Sequence, residues 1–215
     1  MDLAGHKLFL GVNEELAQNL YSSLKIEREK FKKGQIAFRF SSTNNKIGYV
    51  VSGKAEIIKC DAQGNQTLLE TLPSHSLFGN LFAYAHKDNE YVVVCAKTDL
   101  IIDYIPQGEL MKSCGESCDC RHKFITNVLC LIGEKTAMLS ERVEVISNRT
   151  IREKLLCYFS IQSSKCGSNE FKLQISLTEL AEYISVDRTA MMRELKRLKE
   201  DEILIIKDKK VKLQV

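Results

Sequence analysis

The sequence has little that would favour disorder, export or membrane insertion. It contains only two prolines, Pro73 and Pro106, and no low-complexity tract, so no long disordered segment is expected. The N-terminal stretch lacks the apolar core and small-residue cleavage site of a secretory signal. The longest uninterrupted apolar run, Tyr91–Ala96, is far too short to span a bilayer. These absences predict a cytoplasmic protein, with no membrane partner, whose eight cysteines are mostly reduced.

Catalytic constellations are also missing. The sequence shows no Ser-His-Asp set, no phosphate-binding glycine loop and no convincing pair of catalytic carboxylates. We therefore predict that the protein is not an enzyme. The alternative is an enzyme whose C-terminal part only mediates protein contacts.

Basic residues are concentrated in the C-terminal third. Of the 31 Lys and Arg and the 28 Asp and Glu, residues 146–215 hold 14 and 10, which leaves 17 and 18 for residues 1–145. This excess is modest, and a mildly basic solvated face would give the same count. The excess nevertheless lies in the segment that carries the clearest motif of the chain.

Residues 31–105 have the pattern of a β-rich domain. Short apolar or alternating runs are separated by turn residues such as Gly34, Ser52-Gly53 and the DAQGN stretch at 61–65, where a hairpin is expected. Six or more strands, with turns about every 8–12 residues, predict a sandwich or barrel. Before them, Leu16, Leu20 and Leu24 predict a short amphipathic helix.

A long helix is predicted from about residue 118 to residue 146. Apolar residues recur every seven positions from Ile125 to Ile146, as in a heptad seam. The helix would be about 42 Å long at ~1.5 Å per residue. That length favours a seam between two chains over the alternative, a helix packed on its own sheet. The predicted homodimer interface consists of Ile125, Val128, Ile132, Leu139 and Val143.

The stretch Ser176–Lys199 has the pattern of a helix-turn-helix. Ser176 and Glu179 fit a capping box that starts the first helix, and Asp187 can cap the second. The small residue Ala181 lets the two helices approach each other. The final segment, ILIIKDKKVKLQV, predicts a hairpin with a basic tip, as in the wing of a winged helix. Because such units place their second helix in the major groove, we expect double-stranded DNA as a partner.

The second helix separates apolar from cationic positions. Met191, Leu195 and Leu198 are predicted to face inward. Arg side chains suit guanine edges, whereas lysines near the helix end and the wing tip suit phosphates. The alternative is a solvated amphipathic helix in which Glu194 and Lys196 pair. The predicted DNA-binding residues are Ser176, Arg188, Thr189, Met192, Arg193, Lys196, Arg197 and Lys209.

Taken together, these motifs resemble the Crp/Fnr family of bacterial transcription regulators over nearly the whole chain. Three stretches carry the resemblance: SGKAEIIKCDAQGNQ, TIREKLLCYF and LAEYISVDRTAMMREL. The resemblance implies an α+β fold with three parts, namely an effector-sensing double-stranded β-roll (jelly-roll-like; 1–115), a long dimerisation helix (116–147) and a winged helix-turn-helix (148–215). It also implies a homodimer on a palindromic operator, with RNA polymerase as a further partner. By the same resemblance, Arg188, Thr189 and Arg193 occupy base-reading positions, and Thr189 stands where the family often has Glu.

The sensor departs from the cyclic-nucleotide branch of that family. The turn that would hold the ribose is Gly79-Asn80-Leu81, and the pair that would hold the phosphate is Glu90-Tyr91. A Glu in place of Arg opposes a phosphate by about 4 kcal/mol at ~4 Å and an effective dielectric of ~20. The helix positions expected near the base, around Ala137-Met138, are mostly apolar. We therefore expect no tight binding of cyclic AMP or cyclic GMP, and an apolar or cationic small-molecule effector of unknown identity.

Cys114, Cys118, Cys120 and His122 lie close together in the sequence. Some members of the resembled family sense oxygen or redox state through iron–sulfur clusters, haem or thiols. The spacing matches no standard zinc or ferredoxin pattern, although Cys114, Cys118 and His122 would share one face of a helix. A redox- or metal-sensing regulator that uses this region is the alternative function. We favour free cysteines that pack as small apolar residues.

Overall fold

Two units make up the chain, Met1–Lys135 and Thr136–Val215. The structure is a computed structural model that describes residues 3, 5–41, 43–79, 91–112, 119–207 and 209–214. The division falls inside a long helix, α3 (Asp119–Ser147), which contributes to both units. The predicted domain boundaries near residues 115 and 147 stay a prediction. None of the helices in the described ranges is long and apolar enough to cross a membrane.

Antiparallel strands dominate the first unit. One four-stranded sheet has the order β1-β8-β3-β6, and a second has the order β2-β7-β4-β5. Inward residues such as Ile57, Val94 and Ile102 form a buried cluster of the strands. The expected hairpin joins β4 to β5, where the Asp61 carboxylate accepts the Asn65 N–H and Gly64 takes a positive φ of 84°. The strands are β1 (Glu27–Phe31), β2 (Ile36–Arg39), β3 (Lys46–Ser52), β4 (Ala55–Cys60), β5 (Gln66–Leu72), β6 (Leu77–Gly79), β7 (Tyr91–Ala96) and β8 (Leu100–Pro106).

Short helices cover part of this unit. A 3₁₀ turn (Lys7–Phe9) precedes α1 (Glu14–Ser23), and α2 (Gln107–Met111) follows β8. Helix α1 was predicted to bury Leu16, Leu20 and Leu24. Leu20 and Leu24 are buried, but Leu16 is exposed, because the buried face of α1 runs through Ala17 and Tyr21 instead.

A buried carboxylate ties the N-terminal segment to strand β8. The Asp103 side chain is fully buried and accepts hydrogen bonds from three side chains. Arg28 donates from Nε and Nη2 at 2.7 and 2.8 Å, and the Tyr21 hydroxyl donates at 3.0 Å. His6 Nε2 lies 3.0 Å from the second carboxylate oxygen. Asp103 is therefore the polar centre that holds the N-terminal segment, α1 and β1 together.

The first half of α3 packs on its own unit. Val128, which was predicted at a dimer seam, is only 5% exposed and lies in the core with Phe124 and Leu131. Ile125 and Ile132 are half-buried against the same core. The first half of α3 therefore follows the alternative to a two-chain seam, in which the helix packs on its own sheet. Leu139 and Val143, from the same predicted set, are exposed.

A buried lysine fastens the end of this half-helix. The Lys135 ammonium lies 2.9 Å from Glu70 Oε1 and donates to the Leu77 carbonyl at 3.0 Å. Burial lowers the pKa of Lys135, and attraction to Glu70 opposes that shift. The pair is nearly enclosed, so its charges are compensated by each other rather than by water.

The second unit packs helices on a small sheet. Its core joins Val145 of α3 with residues of every later helix and strand. A capping box at Thr150/Glu153 starts α4, and the predicted capping box at Ser176/Glu179 starts α5. The elements are α4 (Ile151–Cys166), β9 (Glu170–Lys172), α5 (Leu177–Tyr183), α6 (Arg188–Glu200), β10 (Leu204–Lys207) and β11 (Lys210–Leu213), with sheet order β10-β11-β9.

Candidate nucleic-acid interface

Helix α6 has one buried and one solvated side. Asp187 caps its start, and the Asp187 carboxylate accepts the Ala190 N–H at 2.9 Å. Met191, Leu195 and Leu198 are buried, which confirms their predicted inward orientation. The remaining face is exposed, and residues three or four apart on a helix lie side by side. The predicted DNA-binding residues on that face are Arg188, Thr189, Met192, Arg193, Lys196 and Arg197.

Ion pairs on α6 leave its first turns without acidic partners. The expected alternative paired Glu194 with Lys196. Glu194 instead lies 3.4 Å from Arg152 of α4 and 3.3 Å from Arg197. Lys196 makes an exposed contact with Glu200 at 3.6 Å. Within the described residues, neither Arg188 nor Arg193 forms an ion pair. Their guanidinium groups are therefore available to an external acceptor.

Two cations from neighbouring helices hold the turn between α5 and α6. Arg142 of α3 donates from Nε to the Tyr183 carbonyl at 3.2 Å, and Lys154 of α4 donates to the Ile184 carbonyl at 3.4 Å. These carbonyls belong to the last turn of α5, where no intrahelical donor is available and a positive charge is favoured. The Arg142 guanidinium also lies 5.8 Å from the centre of the Tyr183 ring. Side chains of α3 and α4 therefore hold the turn that sets the orientation of α6.

Replacing Arg142 by alanine is expected to loosen this turn. The Tyr183 carbonyl would lose a charged donor, and such bonds contribute about 1.5–3 kcal/mol, toward the lower end here because Arg142 is half-exposed. Urea unfolding monitored for the second unit measures the change. The matched control is Lys165→Ala, which removes the exposed Lys165–Glu141 pair and should cost at most about 1 kcal/mol. Equal losses for the two variants would contradict the assigned role of Arg142.

Arg152 of α4 stabilises the C-terminal end of α6. Its guanidinium lies 2.7 Å from Asp201, just after α6, in addition to its contact with Glu194. Arg142, Lys154 and Arg152 were not predicted. Local sequence patterns show which carbonyls and carboxylates need partners, but not which distant helix supplies them.

The remaining predicted residues of this site lie at its edges. Lys209 stands at the tip of the β10–β11 hairpin with a positive φ of 65°, and its carbonyl accepts the Leu173 N–H at 2.8 Å. Ser176 is half-buried, and its hydroxyl oxygen accepts the Glu179 N–H at 3.2 Å. Since the Ser176 hydroxyl donates to no acceptor among the described residues, its proton is available for another acceptor.

The predicted effector residues are only partly described. Gly79 ends β6 with a φ of 127°, and a Cβ there would lie 2.6 Å from the Lys46 carbonyl, so only glycine fits. Tyr91 is exposed at the start of β7. Asn80, Leu81 and Glu90 lie outside the described residues. Ala137 and Met138 are exposed on the part of α3 that belongs to the second unit.

The predicted metal or redox region is also only partly described. Cys114 and Cys118 lie outside the described residues, Cys120 is half-buried and His122 is exposed. Among the side chains that can be placed, no group of three or more His, Cys, Asp or Glu could hold a metal ion. Redox or metal sensing through this region stays a prediction.

Comparison with known proteins supports the fold. Residues 28–117 match the family model of the cyclic nucleotide-binding domain. CprK complexed with OCPA is 20% identical, with 94% of this chain and 92% of that chain covered and a TM-score of 0.68. The c-di-GMP responsive global regulator CLP from Xanthomonas campestris is 17% identical, with 92% and 98% covered and a TM-score of 0.58. A protein from Eubacterium rectale described as a transcriptional regulator of the crp/fnr family is 16% identical, with 100% and 94% covered and a TM-score of 0.50.

These likenesses define the class of fold. Residues 28–117 are similar to the cyclic nucleotide-binding domain, and the chain shares the α+β fold of the solved regulators CprK and CLP. The predicted fold class and the predicted resemblance are confirmed at that level. No curated protein matched the sequence.

Proposed function

We propose that the protein is a homodimeric, sequence-specific DNA-binding transcription regulator, and that it is not an enzyme. The observation that carries this proposal is the exposed start of α6. There Arg188, Thr189 and Arg193 are exposed, and neither arginine forms an ion pair within the described residues. The rest of the helix is held by packing and salt bridges. A rigid helix with unpaired guanidinium groups in its first turns suits the major groove.

The side chains on α6 divide into two roles. Arg188 and Arg193 would bond guanine O6 and N7, and Thr189 would donate, accept or contact a thymine methyl group. Lys196, Arg197 and Lys209 would contact phosphates, which position the protein without conveying sequence. Met192 offers an exposed apolar surface beside Arg188 and Arg193, and Ser176 offers a hydroxyl proton.

Dimerisation is supported by apolar residues that α3 leaves in solvent. In its second half, Met138, Leu139, Val143 and Ile146 are all exposed. Apolar surface of this kind gains about 25 cal/mol for each Å² that a partner removes from water. A second copy of the chain is the proposed partner, and half-sites one helical turn, ~34 Å, apart would match the two copies of α6. RNA polymerase is proposed as the target of the bound dimer.

The effector is proposed to be something other than cyclic AMP. The proposal rests on the sequence alone, in which Glu90 falls at the position where the resemblance implies a phosphate-binding arginine; a carboxylate there would repel a phosphate. Solved proteins with this fold include CprK complexed with OCPA and the c-di-GMP responsive CLP, so the fold accommodates different small molecules. Calorimetric titration of the full chain with cyclic AMP and cyclic GMP is expected to show no binding in the micromolar range. A micromolar dissociation constant would contradict the proposal.

Selection of bound sites from a random DNA pool tests the function itself. The expected result is an enriched palindrome whose half-sites are one helical turn apart, with guanines at positions read by arginine. Recovery of unenriched sequence at physiological salt would contradict sequence-specific binding.

A further inference from the structure

A buried hydroxyl group links the N-terminal part of the chain to the loop between β5 and β6. The Tyr49 side chain, on β3, is fully buried. Its hydroxyl oxygen accepts the Lys7 N–H at 3.1 Å and lies 2.7 Å from His75 Nδ1. Within the described residues, His75 Nδ1 is the only hydrogen-bond acceptor of the Tyr49 hydroxyl. A neutral His75 ring with no proton on Nδ1 therefore completes a chain of hydrogen bonds that runs from the Lys7 N–H through Tyr49.

The backbone of the loop keeps the His75 ring beside Tyr49. His75 has a positive φ of 71°, a conformation that histidine adopts more readily than most residues. Its N–H donates to the Val50 carbonyl at 2.7 Å, and the Val50 N–H donates to the Ser76 carbonyl at 3.0 Å. These backbone bonds do not depend on the charge of the ring. The ring is half-buried, so a proton from solvent can reach it.

The segment that Tyr49 holds also supports α3. We name residues 6–10 the latch segment. Asn127 of α3 donates from Nδ2 to the Leu8 and Leu10 carbonyls of this segment, at 3.1 and 3.0 Å. The latch segment is therefore bonded to β3 through the Tyr49 hydroxyl and to α3 through the Asn127 side chain.

The acidic groups near the His75 ring already have partners. Asp103 lies 2.7 Å from Arg28, and Glu134 of α3 lies 3.9 Å from Lys7. Neither acid is left to compensate for a positive charge on His75. The titratable and charged groups of the elements around this ring are His6, Lys7, Arg28, Tyr49, Asp103 and Glu134.

Protonation of His75 breaks the chain of hydrogen bonds at its end. With a proton on Nδ1, the ring can no longer accept the Tyr49 hydroxyl proton. That hydroxyl keeps its proton, because burial raises the pKa of Tyr49 to about 12. Burial also lowers the pKa of His75, and the nearby Lys7 ammonium and His6 ring lower it further. The bonded latch segment therefore selects the neutral form of His75.

We propose that the latch segment is a proton-operated latch: the neutral His75 ring holds it on β3, and protonation of the ring releases it and loosens the first half of α3. Histidine is the side chain whose charge changes most readily near neutral pH. The regulatory consequence rests on the proposed function. Because the proposed seam between two chains lies on α3, release should weaken the dimer and lower its affinity for the operator. The proton is then an input separate from any effector.

Amide hydrogen exchange of the full chain, followed by NMR, tests the latch. The pKa of His75 is lower in the bonded segment than in the released one, where it should be ~6.5. The protection factor of the Lys7 amide should therefore be constant above pH ~6.5. Below that pH it should fall by up to about tenfold per pH unit until the folded pKa is reached. Constant protection between pH ~7.5 and ~5.5 would overturn the proposal.

Two variants separate the proton from the structure. His75→Asn places an amide oxygen near the position of Nδ1, suits the positive φ and does not titrate, so its Lys7 amide should stay protected at every pH. Tyr49→Phe lacks the hydroxyl, so its Lys7 amide should be poorly protected at every pH. His122→Asn is the matched control, because it replaces an exposed histidine of α3 and should keep the wild-type profile. The wild-type profile in His75→Asn would also overturn the latch.

Operator affinity distinguishes failure of the latch from failure of the proposed function. Between pH ~7.5 and ~5.5, the wild-type affinity should fall by up to about tenfold more than that of His75→Asn. An equal pH dependence of the two proteins would overturn the regulatory role of the latch. Wild-type protein that fails to distinguish the selected operator from a scrambled duplex at any pH would instead refute the proposed function.

Discussion

Replacing both Arg188 and Arg193 by alanine is expected to abolish sequence-specific DNA binding while leaving the protein folded. Each bidentate arginine–guanine pair contributes about 1–3 kcal/mol of discrimination, so the double variant should bind the operator almost as weakly as a scrambled duplex. Both side chains are exposed and neither forms an ion pair within the described residues, so stability should change little. Fluorescence anisotropy on both duplexes measures the effect.

Two controls separate base reading from charge. Arg193→Lys keeps the charge but loses the planar fork, so it should retain non-specific affinity and lose part of the discrimination. Arg149→Ala removes an exposed arginine that precedes α4 and should bind the operator like the wild type. Operator affinity that survives in the Arg188/Arg193 double variant would place base reading outside α6.

Replacing Asp103 by alanine is expected to lower the free energy of unfolding of the first unit by about 3–5 kcal/mol. The change leaves the Arg28 guanidinium, the Tyr21 hydroxyl and the His6 ring without their buried acceptor. Urea unfolding is the measurement. Asp99→Ala is the matched control, because Asp99 pairs with Lys32 on the surface and such pairs contribute only about 0–1 kcal/mol. Similar losses for Asp99→Ala and Asp103→Ala would contradict the central role of Asp103.

The Asp103 carboxylate also makes the stability of the first unit depend on pH in the acidic range. Burial alone raises the pKa of Asp103, but hydrogen bonds from Arg28 and His6 and the attraction of both groups lower it overall. The pKa of such a carboxyl group is lower in the folded protein than in the unfolded chain, where it is ~3.9. The group therefore contributes its full stabilisation of the folded state at pH values above ~3.9. Its contribution is lost as the pH falls through the folded pKa. Stability of Asp103→Asn should therefore decline less than that of the wild type over this acidic range.

Local signals in the sequence predicted the helices that carry the candidate interface. The caps at Ser176 and Asp187 and the buried spacing of Met191, Leu195 and Leu198 depend on residues within one or two helical turns. What fixes that interface in space could not be predicted. Arg142 and Arg152 act through contacts about 40 to 50 residues away, and nothing in their immediate neighbourhood marks the partner.

The long helix shows a second limit of sequence patterns. A seven-residue apolar repeat identifies the buried side of a helix but not what covers it. Val128 is covered by the unit's own core, whereas Val143, two heptads and one residue further on, is exposed. The difference arises because the sheets and α1 supply a packing surface for only the first half of α3. In the second half, Val145 packs in the core of the second unit, but Leu139 and Val143 stay exposed, and we propose that a second chain covers them.

Inserting base pairs between the two half-sites tests the central claim most directly. In the proposed dimer, two copies of α6 lie at a fixed separation, and each reads one half-site. Adding about five base pairs turns one half-site to the opposite side of the duplex without changing either sequence. Wild-type affinity is expected to fall close to that for a single half-site and to recover partly when ~10 base pairs are added. Equal affinity for the original and the half-turn operators would contradict it.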